Sequence, residues 1–133
     1  MGVKRIKVHR IEIEDKAGSL QKLLSRVALA NVNLECFAAF STGRNLGEVY
    51  VSSTDPRDFE AYASQTAIET KEATGFIIGG ENKVGAASEA LESLAKAGIS
   101  GVAGAAMVME GGYRMLVVVD ASDGDAAAKV LGA

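Results

Sequence analysis

The chain has 133 residues, of which 48% are hydrophobic, enough for one ordinary domain or two very small ones with a packed core. Lys and Arg number 14 against 17 Asp and Glu, a net charge of −3, and this lacks the basic excess that nucleic acid or anionic membranes require, so neither is expected as a partner. One cysteine, Cys36, excludes an intrachain disulfide, and one histidine, His9, excludes any site that needs two imidazoles or a Cys/His metal cluster from a single chain.

In chain order, Ile6, Val8, Ile11 and Ile13 mark a first strand. Its apolar phase passes from even to odd positions, which predicts a bulge near His9-Arg10. After the loop Asp15-Lys16-Ala17-Gly18-Ser19, the residues Leu20, Leu23, Leu24, Val27 and Ala28 fall on one helical stripe, which Asn31 stops. Residues 34–41 and 48–53 read as a hairpin, and Asp55 starts a short helix over 58–65. Residues 68–73 are a candidate strand.

The pattern then repeats in softened form. Phe76-Ile77-Ile78 reads as a strand, Asn82-Lys83-Val84-Gly85-Ala86 matches the first loop, and Ala87, Ala90, Leu91, Leu94 and Ala95 reproduce the helical stripe 67 positions later. Gly98 takes the place of Asn31. A second hairpin over 105–109 and 114–119 turns at Glu110-Gly111-Gly112, and Asp120 leads into a helix over 123–131. The order is βαββαβ followed by βαββα. The expectation is an α+β fold of two ferredoxin-like repeats, 1–73 and 74–133, the second lacking its last strand.

A strand that turns into a helix through Asp15-Lys16-Ala17-Gly18 leaves the N–H groups from Gly18 to Leu20 without intrahelical partners, a setting that suits an anion. Gly18 allows close approach, and the Asp15 carboxylate accepts from an ammonium group. Carboxylate and ammonium recognition together fit an α-amino acid. The same residues also fit a local role, with Asp15 capping the helix and Gly18 easing a tight turn.

These features resemble the ACT domain, a small regulatory module that binds effectors. The resemblance rests on the βαββαβ order, on Asp15-Lys16-Ala17-Gly18-Ser19-Leu20 and on Ala30-Asn31-Val32-Asn33-Leu34, and it covers nearly the whole chain as two copies. It implies that an amino acid or similar small effector binds where the strand-to-helix loop of one unit meets another unit. The positions it implies are Asp15, Lys16, Ala17, Gly18, Ser19, Leu20 and Asn33 in copy one, and Asn82, Lys83, Val84, Gly85 and Ser100 in copy two. Ala17 and Val84 stand where such loops usually carry proline, which raises the entropic cost of holding the loop open. Copy two also lacks the acidic residue and the second Asn, so copy one is expected to bind more strongly.

The remaining features read as structural. His9 has no relay partner nearby in sequence and is expected to face solvent or an edge. Cys36, in an apolar strand, is expected to be a buried thiol. Lys4, Arg5, Lys7 and Arg10 are expected to guard a sheet edge. Met107 and Met109 suit a pocket wall or a core. The Gly-rich stretch 101–109 lacks a phosphate-binding pattern and suits close packing. No arginine for phosphate stands in the first loop, no Cys-x-x-Cys is present, and aromatics make up 5%, so hydrolase, metal-chaperone and nucleic-acid readings are all disfavoured. The reading that results is a noncatalytic regulatory module without a cofactor or metal, homodimeric or larger, with a regulated enzyme as a further partner. An oligomerisation module with vestigial loops is the alternative. No leader or apolar span is read, so the expected compartment is the cytoplasm. The homodimer is argued from the strand at Phe76-Ile77-Ile78, which the missing last strand would leave as an open edge unless an extended N-terminal strand covers it.

Overall fold

The computed structural model describes residues 2–133. The elements run β1 (Gly2–Glu14), α1 (Ser19–Leu29), β2 (Leu34–Gly43), β3 (Leu46–Ser53), α2 (Pro56–Thr66), β4 (Lys71–Gly80), α3 (Ala86–Lys96), β5 (Gly101–Met109), β6 (Gly112–Asp120) and α4 (Gly124–Leu131), with a 3₁₀ turn at Ala121–Asp123. The strand order is β2-β3-β1-β4-β6-β5, and β3 pairs antiparallel with both β1 and β2, as β6 does with β4 and β5. Strands alternating with helices on an antiparallel sheet fit the ferredoxin-like α+β class. Among the described residues, no helix is long and apolar enough to cross a membrane.

The helix ends follow from local chemistry. Asn31 and Gly98 have φ of 60° and 72°, the left-handed conformation that halts α1 and α3. The closing bonds also recur: Asn31 N–H donates to Ala28 and Val32 N–H to Val27, while Gly98 N–H donates to Ala95 and Ile99 N–H to Leu94. Pro56 opens α2, where the Asp55 carboxylate accepts from the Arg57 backbone N–H at 3.0 Å. The β2–β3 hairpin turns through Arg44 and Asn45, both at positive φ (58° and 62°), as a two-residue turn of this twist requires.

The chain divides into two compact units, one of Val8–Glu72 and the other of Ala73–Ala133 with the N-terminal residues through Lys7. In the first, Ile11, Val27, Val49, Val51, Phe59 and Tyr62 form the core. In the second, Phe76, Ile78, Leu94, Met115, Val117 and Val119 do so, with Val3 of β1 packed against them. Arg5 of β1 also pairs there with Asp125 at 3.0 Å. The first half of the long strand β1 is thus grouped with the second half of the chain, beyond a boundary that falls at 72/73.

Several sequence expectations change for the same reason. β4 is flanked by β1 and β6, so it is not an open edge, and the N-terminal strand provides the cover; the edges are β2 and β5. The candidate strands at 68–73 and 76–78 are one strand, β4. Lys4, Arg5, Lys7 and Arg10 lie on an interior strand, so they guard no edge; Arg10, for example, faces Glu48 at 3.7 Å. Against β3 the pairing runs unbroken from His9↔Val51 to Glu14↔Leu46, so this ladder carries no bulge at His9-Arg10. The phase change reflects burial on both faces of β1, with Ile6 and Val8 on one and His9 and Ile11 on the other. His9 is buried, not solvent-facing, and Cys36 is only half-buried because β2 is an edge strand. Met107 and Met109 are 64% and 51% exposed on the other edge strand, so they fill no core.

Candidate functional site

The two strand-to-helix loops have the same local geometry. Gly18 and Gly85 are the N-caps of α1 and α3, at φ 90° and 82°, and neither helix receives a side-chain cap. Their backbone bonds coincide as well: Ser19 N–H donates to Lys16 O at 3.2 Å and Ala86 N–H to Lys83 O at 3.1 Å, while Lys22 and Glu89 N–H donate to Gly18 and Gly85 O, both at 2.9 Å. A left-handed residue tolerated by glycine thus starts each helix and leaves its N-terminal face free of side-chain caps.

Asp15 does not cap α1. Its carboxylate accepts from Ser41 Oγ at 2.6 Å, and its backbone N–H donates to Asn45 O at 2.8 Å, which ties the loop to the tip of the β2–β3 hairpin. That Ser41 and Asn45 meet Asp15 was invisible to the sequence reading, because partners so far along the chain, 26 residues for Ser41, carry no local signal. Lys16 turns back to Glu14 at 2.9 Å, and this ammonium holds the Glu14 carboxyl below its ordinary range. Lys83 reaches Glu89 at 3.2 Å in the equivalent loop. Ala17, Gly18, Val84 and Gly85 are exposed, and Ser19 and Leu20 are half-buried.

The structure does not bring Asn33 to the Asp15 loop of its own unit. Asn33 precedes β2, its carbonyl accepting the Thr54 N–H at 2.9 Å, whereas Asp15 meets Ser41 near the other end of that strand. Seven residues of strand separate these points by about 23 Å. Ser100 precedes β5 in the same way, while Asn82 follows β4 at the other end of the second unit.

Copy two borders an open cleft of about 800 Å³ lined by Lys4, Glu81, Asn82 and Arg114 among others. Gly80 and Gly112 let the walls approach, since a Cβ on Gly112 would collide with the Gly80 carbonyl. Two cations and one carboxylate around this cleft suit a small zwitterion, although the start of α3 at Gly85-Ala86 is not among its lining residues. The sequence reading favoured copy one, and it had no means of placing Lys4 or Arg114, which come from distant strands.

No protein-family model matches the chain, and no curated protein does. Solved structures do match. A protein from Bacteroides thetaiotaomicron superposes with a TM-score of 0.77 at 19% identity, over 98% of this chain and 88% of its own. The ligand-free regulatory subunit of aspartate kinase from Thermus thermophilus gives 0.65 at 16% identity, over 99% and 95%. The aspartate kinase of Clostridium acetobutylicum, described as an allosteric enzyme, gives 0.62 at 17%, over 98% of this chain and 33% of the kinase. The chain has the fold of ACT-type regulatory subunits, in keeping with the resemblance carried by its sequence.

Proposed function

We propose that this chain is a noncatalytic regulatory module of two ACT-like units that binds an amino acid or similar zwitterion at its strand-to-helix loops. The observation that carries the reading is the repeated loop: a left-handed glycine N-cap with no side-chain cap, at Gly18 and again at Gly85, in a fold shared with regulatory subunits of aspartate kinase. In this reading Val8–Glu72 is one ACT-like unit. The other is Ala73–Ala133 completed by the N-terminal half of β1, which stands where the second repeat's last strand would be.

Binding positions are Asp15 through Leu20 and Asn82 through Gly85 on the loops, with Asn33 and Ser100 acting from a different subunit, since each lies a strand's length from its own loop. That arrangement needs a second copy. The edge strands support one, for Phe37 and Phe40 on β2 and Val102, Met107 and Val108 on β5 are 42–64% exposed. The effector then bridges subunits, and the partner it controls is a regulated enzyme, as in the regulatory subunits of the same fold.

Calorimetric titration of amino acids into the wild type, an Asp15→Ala/Asn33→Ala variant and an Asn82→Ala/Ser100→Ala variant tests the reading. Loss of binding in at least one folded variant supports it. Unchanged affinity in both moves the site elsewhere, and no binding to the wild type favours the oligomerisation module.

A further inference from the structure

His9 is a buried imidazole in the Val8–Glu72 unit, and the effector loops make no use of it. It pairs with Val51 across β1 and β3, and its ring lies against Phe59 with centroids 5.2 Å apart. Phe59 is fully buried, so the core fixes α2 and sets Glu60, the next residue, beside the imidazole. His9 Nε2 stands 3.3 Å from Glu60 Oε2, and Glu72, at the start of β4, brings a second carboxylate. One ligand atom from each of His9, Glu60 and Glu72 lies within 4.8 Å of the others.

The ring is poorly served by protein groups. Its side chain is 5% exposed, yet Nδ1 has no hydrogen-bond partner among the described residues. The Nε2–Glu60 separation of 3.3 Å is long for a charge-assisted hydrogen bond, which runs about 2.7–2.9 Å. It equals the spacing of two ligands about 2.0–2.1 Å from a tetrahedral zinc ion, ~3.3 Å. The residues open onto a groove of about 570 Å³ that Ser64, Glu69 and Thr70 also line, with no Lys or Arg among its lining residues. Three carboxylates around one groove attract a cation.

We propose that His9, Glu60 and Glu72 form a site for a divalent transition-metal ion, held by one imidazole nitrogen and two carboxylate oxygens with water completing the shell. The donor set selects the metal class. An imidazole favours zinc, iron or nickel over magnesium or calcium, and the absence of thiolate disfavours copper(I). A single histidine suffices, so the site does not conflict with the exclusion of two-imidazole centres. Because Glu60 rides on α2 and Glu72 on β4, a bound ion links the helix to the strand that follows it.

Zinc chloride titrated calorimetrically into the full chain, after dialysis against chelator, tests the proposal, with cobalt(II) absorption as a second readout. The expected result is one ion per chain, a tetrahedral cobalt spectrum, and at least a tenfold loss of affinity in both His9→Gln and Glu72→Gln. Glu72 is exposed, so its variant keeps the test decisive even if His9→Gln fails to fold. Cys36→Ser and the distant Glu110→Gln should bind as the wild type does. Absence of wild-type binding, unchanged affinity in Glu72→Gln, or loss in Cys36→Ser would overturn the assignment.

Discussion

At the scale of single residues, the two loop glycines carry the sharpest expectation. Gly18 and Gly85 hold left-handed backbone with open space where a Cβ would go, so Gly18→Ala and Gly85→Ala meet strain but no clash. Each should cost about 1–2 kcal/mol in urea unfolding, the usual penalty for an L-residue in this conformation. Equal costs would show that the loops share one geometry despite their different sequences. The glycines were legible because a strand, a glycine and a helical stripe recur at a fixed interval. The role of Asp15 was not, because capping chemistry is local and its partner, Ser41, is remote. The burial of His9 was equally hidden: a polar residue between Val8 and Arg10 reads as solvent-facing unless both faces of the strand are known to be covered.

At the scale of elements, α2 is held by its core face and its cap. Phe59→Ala removes a fully buried ring from the first unit and should cost about 3–5 kcal/mol in the same assay. The cap predicts a pH dependence. Hydrogen bonds from the Arg57 side chain, at 2.8 and 3.1 Å, and from its backbone N–H hold the Asp55 carboxyl below its ordinary value of 3.8. A carboxyl whose folded pKa is depressed contributes stability that is present above its unfolded pKa and lost as pH falls through the folded one. Wild type should therefore lose stability in that acid window more steeply than Asp55→Asn, whose cap does not titrate, and parallel acid melting curves would contradict it. The helix stops at Asn31 and Gly98 were readable from residue type alone. The unity of β4 was not, since Thr74-Gly75 in the middle of a strand looks like a break in sequence, whereas both residues are buried in the sheet beside β6.

For the whole molecule, the recurring pattern was visible in the sequence, whereas the place of β1 beside β4 in the sheet was not. The change of apolar phase along β1 was the visible trace of a strand buried on both faces, and the ladder to β3 shows no bulge there. Deleting residues through Lys7 should uncover β4 and remove Val3 and Ile6 from burial, giving aggregation or a lower melting temperature by light scattering and circular dichroism. A deletion variant as stable and monodisperse as the intact chain would show that β1 does not complete the second unit. The exposed apolar residues of β2 and β5 predict a dimer or larger assembly at micromolar concentration, and a strictly monomeric species with and without effector would contradict the bridging arrangement.

The central claim is that the loops bind an amino acid, and a thermal-shift screen of the twenty amino acids measures it most directly. A ligand present at 100 times its dissociation constant adds about 2.7 kcal/mol to the stability of the folded state. The account predicts that at least one amino acid raises the melting temperature of the wild type, and that the rise vanishes in whichever of the Asp15→Ala/Asn33→Ala and Asn82→Ala/Ser100→Ala variants carries the site. No shift with any amino acid, or a shift that survives in both variants, would contradict it.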